Sequence, residues 1–267
     1  MDISFWWPLV VKMLTSAAIV VGASLVVERS GPFLGAMIAT LPISAGPAYA
    51  FLALDHGADF IAMSALAGLP VSAATVVYMI VYAAVAQRYG VLASIGSALG
   101  IWAISIWIIL ESRWSLGTAL ALNVAVYALA IPLARKFSSA AVLISPKKRA
   151  WDIPFRAALV MAVVGAAVIA GRTLGPSIAA AAALAPVVLM SLALILQPRV
   201  GGMAAASVVA NGVPGMLGFV GALSLLHLCA VPLGTAVALI LALGVSIGWN
   251  ASLIAVRRWR LLERARI

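Results

Sequence analysis

The sequence predicts an all-α polytopic membrane protein. Three observations predict it: the composition, the spacing of the polar breaks, and the sign of the charges in them. Of 267 residues, 65% are hydrophobic and only 9% charged, with a mean hydropathy of +1.19. A soluble domain carries about 25% charged residues, and so apolar a surface would not stay dispersed in water. Apolar runs long enough to cross a bilayer, about 20 residues each, alternate with short polar or glycine-containing breaks. Lys and Arg then collect in every second break, as orientation in a membrane requires.

Taken in order, the runs define nine spans: 6–27, 31–54, 59–86, 90–110, 114–134, 153–171, 174–196, 203–228 and 230–256. The first follows MDISFWW, which has neither a basic n-region nor an A-x-A site and reads as the start of a span rather than a signal peptide. It stops at Glu28-Arg29-Ser30. The second carries Pro42 and Gly46-Pro47 and stops at Asp55-His56-Gly57. The third carries Pro70 and stops at Gln87-Arg88; the fourth stops at Glu111-Ser112-Arg113. The fifth leads into a basic loop, 135–152, that contains Lys147-Lys148-Arg149. The sixth ends at Arg172-Thr173, and the seventh carries Pro186 and ends at Gln197-Pro198-Arg199. The eighth carries Pro214, and the ninth leads into a basic tail, 258–267.

Charge tests the count. With the N-terminus outside, the cytoplasmic segments hold Arg29, Arg88, Arg135, Lys136, Lys147, Lys148, Arg149, Arg199, Arg257, Arg258, Arg260, Arg264 and Arg266. The outer loops hold Arg113 and Arg172 alone, together with Asp2, Asp55, Asp59 and Glu111. Eight or ten spans would put the basic loop or the basic tail on the wrong side. The C-terminus is therefore expected in the cytoplasm. The net charge of +10 and the pI near 10.7 thus reflect orientation in the bilayer, and no nucleic-acid partner is expected. A lone Cys229 leaves no disulfide framework and no cysteine zinc site.

An internal repeat organises the chain. Sliding it by 144 residues puts Trp7 on Trp151, Gly31 on Gly175, Pro32 on Pro176 and Pro42 on Pro186. The same offset puts Gly57 on Gly201, Gly68 on Gly212, Pro70 on Pro214, Gly90 on Gly234 and Gly100 on Gly244. About one Gly or Pro match is expected by chance, and eight occur. The second unit starts five crossings after the first, and an odd number of crossings inverts it. The expected architecture is a first four-helix repeat (1–113), a linking helix (114–134), the cytoplasmic basic loop (135–152) and a second, inverted four-helix repeat (153–257). Inverted repeats recur in secondary transporters, whose sites lie near midplane where the units meet.

The matched prolines mark a candidate site. Pro42, Pro70, Pro186 and Pro214 each fall well inside a span, and each removes a backbone donor. Freed backbone at membrane depth is tolerated only against protein or a wet cavity. A polar cleft is therefore expected, drawing on Thr40, Ser44, Ser64, Ser72, Thr75, Ser191, Ser207 and Asn211. The competing reading is that the prolines only bend helices for packing. Lys12 and Arg156 superpose under the offset and are the two ionisable residues firmly inside spans. A matched basic pair suits an anionic substrate, although both stems could also snorkel to the head groups. Asn123 and Asn250 are candidate interhelical hydrogen-bond partners, and Asp55 to Asp59 reads as a solvated turn.

No Asp or Glu lies deep in a span, which argues against proton or sodium coupling through a carboxylate and against organic cations. No H-E-x-x-H, P-loop or nucleophile elbow occurs, so the chain is not expected to be an enzyme, nor to hold a metal or cofactor.

The segment Gly35-Ala36-Met37-Ile38-Ala39-Thr40-Leu41-Pro42, followed by a polar loop and a Pro-bearing third span, resembles the GlpM-like family of small four-span inner-membrane proteins. The likeness covers Ser30 to Glu111, and Ala179 to Pro186 holds the corresponding place in the second unit, with Ala179 replacing the glycine. It implies a bacterial inner-membrane protein and no particular substrate. The four-span units also look similar to the small drug-resistance exporters, but those depend on an acidic residue where this chain has Lys12. The expectation is a translocator for a small organic anion or an anionic lipid. The alternative is a membrane scaffold that docks partners through its basic loop and tail.

Overall fold

The computed structural model describes residues 3–29, 45–138 and 151–264. Among them every regular element is helical. They are α1 (Ile3–Arg29), α2 (Ala45–Asp55), α3 (Ala58–Val85), α4 (Val91–Glu111), α5 (Leu116–Phe137) and α6 (Asp152–Thr173). There follow α7 (Pro176–Ala183), α8 (Val187–Val200), α9 (Gly202–Gly212), a 3₁₀ turn (Val213–Gly215), α10 (Met216–Leu233) and α11 (Thr235–Arg264). With α7–α8 and α9–α10 each counted as one path, seven stretches among the described residues are long and apolar enough to cross a membrane. The start of the expected second span, with Thr40, Pro42 and Ser44, lies outside the described residues.

The helix ends follow local chemistry. Ser115 and Thr118 cap α5 reciprocally, each side chain taking the other's backbone N–H. Pro176 starts α7, where a missing N–H costs nothing, after Gly175 at φ +88°. The ninth apolar stretch ends at Arg257, but its helix continues into the basic tail. α11 runs on to Arg264, because residues 258–264 contain no Gly or Pro and Leu and Arg are good helix formers.

At the centre lies α3, whose buried face includes Ile61, Leu69, Val76, Met79 and Tyr82. It packs on α4, α5, α7, α9 and α10. Helix ends recur at the sequence offset: α3 and α4 begin at 58 and 91, α9 and α11 at 202 and 235, each 144 residues on. α1 ends at 29 and α6 at 173, the same interval. Helices so related also pack on each other, α1 on α6 and α3 on both α9 and α10, while α4 meets α8 as α11 meets α2. The linking helix α5 fills the remaining side of α3 and touches α9.

Candidate translocation site

The four prolines do not act alike. Pro42 is outside the described residues. Pro70 is buried within a helix that runs unbroken from Ala58 to Val85, so the expected interruption of the third span is absent there. Donors from outside the backbone ladder support this stretch. Asn123 of α5 donates Nδ2 to the Leu69 carbonyl at 3.0 Å, and Ser72 Oγ donates to the same oxygen at 2.8 Å. At Pro214 the mate of this helix tightens into the 3₁₀ turn, and the Val213 N–H reaches the Ala210 carbonyl that Pro214 frees. Of the three described prolines only Pro186 makes a true break: α7 ends at Ala183 and α8 begins at Val187. Here too the freed carbonyl, that of Ala182, is recovered, by the amides of Leu184 and Ala185. The carbonyls freed by Pro186 and Pro214 are thus closed locally and do not line an open cleft.

Donors remain at the break, beside the carbonyls of the last turn of α7. α8 starts on Pro186 with no side-chain cap; the Val187 N–H turns back to the Ala185 carbonyl at 2.7 Å, and the next amides of the first turn have no intrahelical partner. Pro186 is ten residues after Pro176 (186 − 176). That is about 15 Å of helix, near the middle of a core about 30 Å thick. Gly68 makes the approach possible. A Cβ there would stand 2.9 Å from the Tyr49 hydroxyl and 3.0 Å from Leu184, so α2 and the end of α7 can both close on α3.

The polar side chains expected in the site are mostly engaged elsewhere. Ser64 donates to the Pro176 carbonyl at 3.1 Å, and its own carbonyl accepts from Tyr49. Ser191, buried in the second turn of α8, donates back to Val188 at 2.8 Å. Asn211 donates to the Ser207 carbonyl at 2.8 Å. Asn123 is the interhelical partner that was expected, and one bond of Asn250 goes to the Ser246 carbonyl in its own helix.

Lys12 and Arg156 are not brought together. Lys12 Nζ lies 2.5 Å from Asp55 Oδ1, with the two side chains 10% and 12% exposed. Arg172 adds a second cation 3.4 Å from Asp55 Oδ2. Arg156 sits 16 residues before Arg172 on α6 (172 − 156), about 24 Å away along the helix. Lys12 is paired directly with Asp55 and is therefore not a free attractor of anions, although with Arg172 the cluster keeps one net positive charge. Asp55 is correspondingly no solvated turn residue: it fastens α1 to α2. Next to it His56 stacks on Phe60 with centroids 3.9 Å apart.

Two groups escaped the sequence reading. Asp152 accepts two bonds from Arg199, at 2.7 and 2.5 Å. Gln197 accepts from the Tyr82 hydroxyl at 3.1 Å and donates to the Tyr89 carbonyl at 2.9 Å and to Ser94 Oγ at 3.2 Å. The available signal was their place at span ends, where polar residues are ordinary. A separate open groove of about 530 Å³ lies between α10 and α11, with Gly218, Gly221, Gly248, Trp249 and Ser252 among its lining. It contains no charged side chain and offers an anion no seat.

Comparison with protein-family models, curated proteins and solved structures returns no match to this chain.

Proposed function

We propose that this chain is a bacterial inner-membrane translocator for a small organic anion or the head group of an anionic lipid. Its two units, each resembling a GlpM-like protein, form an inverted repeat with the N-terminus outside. The recurrence of helix ends at 144 residues and the mutual packing of related helices support the repeat. One observation carries the substrate class, namely the uncapped start of α8 at the α7–α8 break. A helix N-terminus carries about half a positive charge. In transporters with discontinuous helices such ends face anionic groups near midplane. With Lys12 neutralised by Asp55, this end replaces the basic pair as the main attraction for the substrate.

The test is ligand-dependent thermal unfolding in detergent, with carboxylates, inorganic phosphate and amines as probes, on wild type and Pro186→Ser. An anion at 100 times its dissociation constant stabilises the wild type by about 2.7 kcal/mol. Serine at the N-cap supplies its own oxygen to the second or third amide of α8, so the variant should fold and lose the anion shift. Equal stabilisation by amines, or an undiminished anion shift in Pro186→Ser, refutes the reading.

A further inference from the structure

Two ion-pair clusters lie at opposite ends of one helix. Arg172, in the last turn of α6, faces Asp55, while Asp152, its first residue, holds Arg199. They are 20 residues apart (172 − 152), about 30 Å of helix, which equals the thickness of a hydrocarbon core. α6 therefore presents one cluster to each membrane face.

Each cluster grips the far end of a second span. Asp55 is the last residue of α2, and Arg199 stands next to last in α8. These are equivalent positions, 144 residues apart, yet one is an acid and the other a base. The partners are reversed as well. Lys12 and Arg172 are cations facing Asp55, and Asp152 is the carboxylate facing Arg199. Copying of one ancestral pair does not give opposite signs; a requirement for a fastening at that place does. Nor is the fastening needed for stability as such, since partly buried ion pairs add little over apolar packing of the same volume. What an ion pair at a membrane face offers is a second state. When it separates, water enters and solvates both charges, so the open form has no orphaned group.

The geometry points to alternating locks: Lys12–Asp55–Arg172 closes the outer face, and Asp152–Arg199 closes the inner face. Opening the first frees the end of α2, and opening the second frees the end of α8. α6 stays fastened at its other end each time, so the α7–α8 break meets water from one side only. This rests on the translocator reading.

Sided access to the break tests it. In a Cys229→Ser background, Ala185→Cys reports labelling by a membrane-impermeant maleimide, applied to right-side-out and to inverted vesicles. With both locks intact, labelling is slow from either side. Asp55→Asn speeds it about ten-fold from the outer side alone, and Arg199→Gln by a similar factor from the inner side alone, each biasing its own closed–open equilibrium. Exchanging the inner charges, Asp152→Arg with Arg199→Asp, restores slow inner labelling. If Asp55→Asn does not fold, Lys12→Gln opens the same lock. Unchanged rates, faster labelling from both faces at once, or no rescue by the exchange overturns the locks. Because the readout needs no substrate, their failure beside an intact anion shift leaves the translocator reading standing, and sided access without an anion shift removes the anion assignment alone.

Discussion

The packing of α4 against α3 and α8 and the packing of α11 against α10 and α2 occupy equivalent places in the chain, yet they are built from different chemistry. In the first, Gln197 bridges Tyr82, Ser94 and the Tyr89 carbonyl, and Trp102 donates to Thr75 at 3.3 Å. In the second, 144 residues away in each case, stand Ala53, Leu226, Ala238, Phe219 and Ser246. Of these only Ser246 has a polar side chain, and its hydroxyl is buried without a hydrogen-bond partner. Among the described residues one seam is fixed by a network of directional bonds; the other is held mainly by van der Waals contact, with Trp249 donating to the Pro214 carbonyl at 2.8 Å. At this offset Gly and Pro recur while the polar side chains do not, so the backbone turns match and the contacts differ. A seam with fewer directional bonds slides at lower cost, so the difference assigns the more adaptable interface to α10 and α11.

The largest expected effect concerns the glycine that lets the polar seam close. A Cβ on Gly202 would stand 1.9 Å from the Ala86 carbonyl oxygen, a backbone atom that cannot step aside as a side chain can. Its mate is Ala58, which already has that Cβ. Gly202→Ala should cost about 3 kcal/mol, at the upper end of overpacking effects. Ala58→Gly should cost about 1 kcal/mol from helix propensity. Thermal unfolding in detergent reads both, and equal costs would mean that the α3–α9 approach is no closer than its counterpart.

The next effect tests the bonds themselves. Gln197→Ala removes three partners at once, and Tyr82→Phe removes one. Interhelical hydrogen bonds in membrane proteins average about 0.6 kcal/mol and reach about 1.7, so a double-mutant cycle between the two should return a coupling in that range. Ala53→Gln sharpens the comparison, because it places an amide among apolar neighbours at the equivalent position. Ala53 is half-buried, so the change should destabilise by about 1 kcal/mol, the lower end of the cost of an unpaired polar group. A coupling near zero, with Ala53→Gln tolerated, would make the two seams energetically alike.

Much of the architecture was legible because its determinants are local. Gly57, Gly90 and Gly175 mark helix starts in the sequence, and the observed helices begin within a residue or two of them. The partners of charged and amide groups were not legible. Asp55 sits in a run that reads as a solvated turn, and only the approach of α1 shows that Lys12 reaches it. Gln197 looks like a span terminator, because nothing in its own segment reveals that α3 and α4 bring Tyr82 and Ser94 to it. Pro70 misled for the same reason: its helix continues while Asn123, 53 residues on (123 − 70), supplies a donor beside it.

That support gives the smallest and most discriminating contrast. The carbonyls of Leu69 and Pro214 occupy nearly matching places in the two units, and each takes a donor from another helix. Asn123 Nδ2 of α5 reaches the first at 3.0 Å, and Trp249 Nε1 of α11 reaches the second at 2.8 Å. The settings differ. Asn123 is buried and also bonds Ala119 and Ser72, whereas Trp249 lies on the exposed side of its helix. Asn123→Leu should therefore cost about 1 kcal/mol and Trp249→Phe about 0.6, within the range for such bonds in membranes. Asn123→Leu should also lower the protection of amides around Pro70 against hydrogen exchange, because a helix lacking one ladder bond depends on its neighbours. The Trp249 change should leave amides near Pro214 protected, since the 3₁₀ turn closes its own carbonyl. Equal loss of protection at both prolines would show that the unbroken helix and the tightened turn answer the same backbone defect in the same way.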